Sequence, residues 1–162
     1  MRFTKMNGAG NDFILVENLH GELTQQQLSK LARTLCDRRM SIGADGLMAV
    51  VPAKGTADYG MLFFNCDGTL GEMCGNGARC FALFAEHLGI GGETKYFDAT
   101  DGVHTAHIRR AQGPAGEIEL GMINVSEIRS GDGWWFLNTG VPHYVEMVHD
   151  VDGIDVNGRG RG

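Results

Sequence analysis

Cys74, followed by Gly75-Asn76-Gly77, is where residue types and spacing in this 162-residue sequence best suggest chemistry. Upstream, Tyr59 to Phe64 has the aromatic and apolar make-up of a strand, ending at an Asn-x-Asp-Gly turn signal. Downstream, Ala78 to Leu88 reads as a helix closed by Gly89. Cys74 therefore stands where a loop becomes a helix. Free backbone N–H groups and the helix dipole at such a point favour thiolate over thiol. Gly75 and Gly77 allow close approach and positive φ, so that successive N–H groups can converge on a carboxylate or phosphate. A base or nucleophile beside a carboxylate cradle points to chemistry on a small acid, next to its carboxyl group. The plainer alternative is an inert buried cysteine ahead of an ordinary helix. Two glycines and an asparagine around one cysteine are a costly arrangement for packing alone, which favours chemistry.

The elements that must position this stretch can be read in turn. Residues 3–7 and 12–18 are strands rich in Phe, Ile, Leu and Val, joined by Asn7-Gly8-Ala9-Gly10-Asn11-Asp12. That turn is equally well an ordinary glycine hairpin or a place from which Asn11 offers its amide to a ligand. Residues 24–39 form an amphipathic helix. Thr24 with Gln27 makes a capping box, and Leu23 with Leu28 a hydrophobic staple. Leu28, Leu31, Ala32, Leu35 and Cys36 line its apolar face, and Arg38 and Arg39 end it, where cations suit the dipole. Ser41 to Gly46 turns into a strand at 47–51. The helix at 78–88 differs in kind: only Arg79, Glu86 and His87 are polar, so it is apolar on nearly every side and must be wrapped. Short strands at 94–98, 103–109, 117–122, 134–138 and 144–148 are available to wrap it. The expected architecture is α+β: a curved, barrel-like, mostly antiparallel sheet around one central buried helix, with an outer amphipathic helix. Residues 1–149 are read as a single lobe. Residues 150–162, ending Gly158-Arg159-Gly160-Arg161-Gly162, lose the hydrophobic pattern and read as a linker cut short.

Composition narrows the classes. A net charge of −6 argues against nucleic acid or an anionic membrane as the main partner. The opening residues lack the apolar core of a signal peptide, and no apolar run approaches membrane-spanning length. Cysteines at 36, 66, 74 and 80 fit a reducing cytoplasm better than a secreted disulfide frame. Gly at 25 residues against Pro at 3 points to many tight turns between short strands.

Four segments together resemble the diaminopimelate epimerase family: Lys5 to Phe13, Gly43 to Gly46, Asn65 to Cys80, and Asn138 to His143. They occur in the family's order, and the Glu-Met-Cys-Gly-Asn-Gly-x-Arg-Cys block is highly specific. The resemblance implies a racemase that needs no pyridoxal phosphate or other cofactor, interconverting LL- and meso-diaminopimelate in the synthesis of lysine and peptidoglycan precursors. It implies two similar lobes with the small-molecule substrate between them, and a homodimer as the assembly. The family's second catalytic cysteine lies in an Ala-Cys-Gly-Thr-Gly block that this sequence lacks. A second lobe would thus be needed to complete the site. Carried over by position, Cys74 resembles one catalytic cysteine, and Gly75 and Asn76 the groups that grip carboxylate and amine. Asn11 and Asn65 resemble substrate contacts, with His143 and Gly77 in support. Gly46 and Val141 stand where some members carry Gln and Asn, and Cys66 replaces the usual Ala of its turn.

Rival readings remain at this stage. The glycine cradle could belong to a carboxylate- or amino-acid-binding module without catalysis, and proline and hydroxyproline racemases share the two-lobe, two-cysteine plan. A P-loop is disfavoured because no Gly-Lys-Ser/Thr follows the glycines, and no Gly-x-Gly-x-x-Gly supports a dinucleotide site. A zinc site from Cys66, Cys74, Cys80 and His87 has no Cys-x-x-Cys pair, and His104 and His107 fall on opposite faces of a strand, so no metal is expected.

Overall fold

The computed structural model describes residues 2–160. They divide into two compact units, one ending at Ile123 and one beginning at Asn124. In the first, seven strands form one sheet in chain order: β1 (Thr4–Gly8), β2 (Asn11–Glu17), β3 (Gly46–Val51), β4 (Tyr59–Asn65), β5 (Thr94–Ala99), β6 (Gly102–Gln112) and β7 (Ala115–Gly121). Neighbours are antiparallel except β2–β3 and β4–β5. A helix bridges each parallel pair: α1 (Gln25–Leu35) the first, α2 (Gly75–His87) the second. Because β2 and β3 run opposite to β4 and β5, two crossovers of the same preferred right hand put the helices on opposite faces of the sheet.

That topology explains the unbroken apolar runs of the central strands, which must be covered on both sides. Phe13, Leu15, Met48 and Val50 join the layer around α2, whereas Ile14, Val16, Leu47 and Ala49 join the layer under α1. Helix α2 touches both edge strands, β1 and β7, as well as β2, β3 and β6. A sheet whose two edges reach one helix has to curl around it. The α+β half-barrel with a central buried helix and an outer amphipathic helix is therefore present in this unit.

Several boundaries differ from the sequence-based expectation. Helix α1 begins as expected: Thr24 Oγ1 accepts from the Gln27 N–H at 3.3 Å, and Gln27 Oε1 accepts from the Thr24 N–H at 2.8 Å. It stops at Leu35 with Cys36 as cap, not at residue 39. Arg38 is drawn to Asp12 and Asp45 instead of the last turn. Helix α2 begins at Gly75, ahead of the expected start at Ala78, and neither Gly75 nor Gly77 has positive φ. The two glycines read as loop formers, but at Gly77 packing decides. A Cβ there would fall 2.0 Å from Met48 Cε and 3.2 Å from Phe13 Cζ. Close approach of helix to sheet outweighs the roughly 1 kcal/mol that glycine costs inside a helix.

The second unit holds a three-stranded antiparallel sheet of β8 (Ile128–Gly131), β9 (Trp134–Asn138) and β10 (Pro142–Glu146), in the order β10-β9-β8. It also holds a short helix, α3 (Val156–Arg159), whose cap Asp155 accepts from the Gly158 N–H at 2.9 Å. The strands expected at 134–138 and 144–148 thus belong to a separate sheet, not to the one around α2, and β8 has no counterpart in the sequence-based expectation. Alternation identifies a strand but not the sheet it joins. The tail expected as a plain linker carries α3. No helix among the described residues is long and apolar enough to cross a membrane.

Candidate active site

Sheet register brings the site residues of the first unit to one end. Phe13 lies opposite Gly46, and Gly46 opposite Asn65, so Asn11, Asp45 and Asn65 share that end of β2, β3 and β4. The start of α2 is there too, because Asn76 Nδ2 donates to Asn11 Oδ1 at 2.9 Å.

Cys74 is the N-cap of α2, in an extended conformation, and its side chain makes no capping hydrogen bond. The first helical bond runs from the Ala78 N–H to the Cys74 carbonyl at 2.8 Å. The N–H groups of Gly75, Asn76 and Gly77 therefore have no protein acceptor among the described residues. Unfilled amides and the positive end of the helix dipole make this a place for negative charge. Cys74 is half-buried, one flank against the inner core. The other cysteines lack this combination. Burial pushes the Cys36 and Cys80 thiols up to about 11, and Cys66 is exposed in a turn.

The approach to Cys74 is fixed from outside. The Gly68 N–H donates to the Asn65 carbonyl at 2.8 Å and the Asn65 N–H to the Thr69 carbonyl at 2.9 Å, closing a tight turn after β4. Ser29 Oγ of α1 donates to the Gly68 carbonyl at 2.6 Å, clamping it. Within the turn, Asn65 Nδ2 donates to Thr69 Oγ1 at 3.0 Å and Thr69 Oγ1 to Asp67 Oδ1 at 2.6 Å. Asn65 Oδ1 is left as the open end of its amide.

Two residues that sequence reasoning gave no role, Asp45 and Arg79, complete the arrangement. Asn11 Nδ2 donates to Asp45 Oδ2 at 3.0 Å, and an Arg79 guanidinium N–H donates to Asn76 Oδ1. Asp45 is itself held by Arg38 at 2.7 Å and by the Asp12 N–H at 3.1 Å. Arg38 and Lys5 both bind Asp12, and the Arg38 guanidinium holds the Asp12 carboxyl well below the usual carboxylate range. The Asp45 carboxyl is lowered too, chiefly by the Asn11 amide. One signal for Arg79 was available: it is the one Lys or Arg between Ala78 and Leu88, flanked by the buried Ala78 and Cys80.

His143 belongs to β10 in the second unit, where its Nδ1 lies 2.8 Å from the Val141 carbonyl and 3.2 Å from Thr139 Oγ1. The residues weighed for zinc do not converge: Cys74 and His87 stand at opposite ends of α2, and no metal-holding group of three or more His, Cys, Asp or Glu occurs among the described residues.

Comparison with known proteins decides the family. The diaminopimelate epimerase family model matches residues 3–124. The chain belongs to the diaminopimelate epimerase family. A diaminopimelate epimerase of Flavobacterium psychrophilum is 40% identical over 160 residues, covering 99% of this chain and 60% of the relative. One from Methanothrix thermoacetophila is 38% identical, covering 94% of this chain and 60% of the relative. The chain thus spans about 60% of the length of these curated relatives. Among solved structures, a Bacillus anthracis phenazine biosynthesis protein of the PhzF family matches with TM-score 0.68 at 14% identity, covering 93% of this chain and 55% of that one. A probable proline racemase from Agrobacterium radiobacter matches with TM-score 0.63 at 16% identity, over 89% and 51%. At such identities these two speak for the fold alone.

Proposed function

We propose that the first unit supplies one half of a cofactor-independent epimerase site that inverts the α-carbon of diaminopimelate, with Cys74 moving the proton on one face. The observation that carries this is the open start of α2, where three unfilled amides adjoin a half-buried cysteine that does not cap them. Inversion requires removing a weakly acidic proton from one face of the α-carbon and delivering one to the other. A single base tends to return the proton to the face it left. Two thiols on opposite faces, one starting as thiolate and one as thiol, complete the inversion and exchange roles with direction. Without a cofactor, the charge developing next to the carboxylate must be stabilised by fixed donors in a site that excludes water. The N–H groups of Gly75, Asn76 and Gly77 and the amides of Asn76 and Asn11 are such donors, and Asn65 Oδ1 suits the substrate ammonium. The second cysteine comes from a second lobe. Residues 1–149 then act as the first lobe and 150–162 as the connection.

The test is deuterium incorporation at the α-carbon of diaminopimelate in heavy water. A protein containing both lobes should incorporate it, Cys74→Ala in that protein should lower the rate by about 10²–10⁴-fold, and the 162-residue chain alone should give none. Full turnover by the Cys74 variant, or turnover by the chain alone, overturns the reading. A non-catalytic carboxylate-binding module is the competing reading, favoured by the single cysteine at the helix start; binding without exchange in the two-lobe protein would establish it.

A further inference from the structure

Side-chain amides are ambiguous ligand groups, because each offers both donors and an acceptor. At the start of α2 that ambiguity is removed from both ends of a chain of hydrogen bonds. An ionised Asp45 can only accept, so Asn11 must turn Nδ2 toward it, at 3.0 Å. Asn11 Oδ1 then faces Asn76 and accepts from its Nδ2 at 2.9 Å. Asn76 Oδ1 is left facing Arg79, which can only donate. Reversing either amide would set two donors or two acceptors against each other. Both amide oxygens are thereby turned toward donors within the protein, and one N–H of each amide stays available beside the N–H groups of Gly75, Asn76 and Gly77.

We infer that Asp45 and Arg79 are positioning residues that fix the amide polarity of Asn11 and Asn76, so that their free N–H groups join the donors at the start of α2 and the site selects a carboxylate over its neutral amide. This rests on the carboxylate-gripping role proposed above and specifies how the grip is made selective. Neither residue needs to touch the substrate. The lever is the carboxylate of Asp45, anchored by Arg38 at 2.7 Å and by the Asp12 N–H at 3.1 Å, which keeps the far end of the chain from turning. Because each end alone is enough to set the polarity, loss of one should be partly tolerated and loss of both should not.

Two readouts on the isotope-labelled 162-residue chain test this. In the first, without ligand, side-chain amide hydrogen exchange is followed by NMR. Asn11 and Asn76 should each show one N–H exchanging at least tenfold more slowly than those of the exposed Asn157. Asp45→Asn or Arg79→Met alone should reduce that protection by less than threefold, and the double variant should abolish it. Arg79→Lys, which keeps a donor, should restore it in the Asp45→Asn background. Unprotected amides in the unmodified chain, or full protection in a double variant whose strand amides are unchanged, overturn the inference. In the second, acetate and acetamide are titrated against the backbone signals of Gly75 and Gly77. The unmodified chain should prefer acetate at least tenfold, and the double variant should lose most of that preference; a preference the double variant keeps counts against the inference. Protected amides that respond to the variants, with no response to acetate, would overturn the carboxylate reading of the site while upholding the pinned amides.

Discussion

The two ends of α2 are finished in opposite ways. At the C-terminal end the chain itself supplies the closing bonds. The Gly89 N–H donates to the Glu86 carbonyl at 3.0 Å and the Ile90 N–H to the Ala85 carbonyl at 3.0 Å, with Gly89 at φ 72°, which is a Schellman closure. Lys95, 0% exposed, donates from Nζ to the Ile90 carbonyl at 2.6 Å and pairs with Glu86 at 2.7 Å, adding a cation where the dipole is negative. At the N-terminal end three amides are unfilled and the capping position holds a cysteine, which cannot do what Thr24 does for α1. The same fold thus contains one closed helix start and one open one. An unfinished end on the most buried helix is a stability cost of about 1 kcal/mol, and the natural place for it is where a ligand finishes the job.

The comparison can be broken from either end. The largest effect on stability should come from Lys95→Met, which leaves the Ile90 and Gly92 carbonyls and Glu86 without their partner. About 3 kcal/mol should be lost, read by urea unfolding, with the exchange protection of Asn11 and Asn76 unchanged. Loss of that protection as well would show that the two ends are not independent.

Closing the open end should have the reverse sign. Cys74→Ser places a side chain that can accept from the free amides, and should raise stability by about 1 kcal/mol while abolishing α-proton exchange in the two-lobe protein. A destabilised serine variant would mean that the amides are not free to be capped.

The smallest effect concerns acid. Asp12 and Asp45 have folded pKa values below their unfolded ones, so their contribution is present above the ordinary carboxylate value near 4 and is lost as pH falls through the lowered values. Arg38 is half-exposed, which screens these pairs. Asp12→Asn should therefore lower stability slightly near neutrality, where the contribution is present, and flatten the fall in stability below pH 4, where the unmodified chain loses it. A steeper profile in the variant would contradict this.

Much of the molecule could be read from the chain because the signals are local. The capping box of Thr24 and Gln27, the apolar circumference of residues 78–88, the runs at Phe13–Val16 and Leu47–Val50, and the turn after Asn65 each follow from neighbouring residues alone. The stretch around Cys74 was identifiable for the same reason. The sequence by itself also determined that a curved sheet had to enclose one helix, since nothing else could cover so apolar a surface.

Only tertiary structure decided where α2 begins, because Gly75 and Gly77 disfavour helix locally and Gly77 is helical here where Met48 and Phe13 leave no room for a Cβ. It alone separated β8–β10 from the larger sheet, since residue alternation carries no information about partners. It alone gave Asp45 and Arg79 their tasks, joining positions 11, 45, 76 and 79 in one line of hydrogen bonds. Hydrogen-bond direction depends on what lies opposite a group in space, and that is settled only when strands and helix are in register.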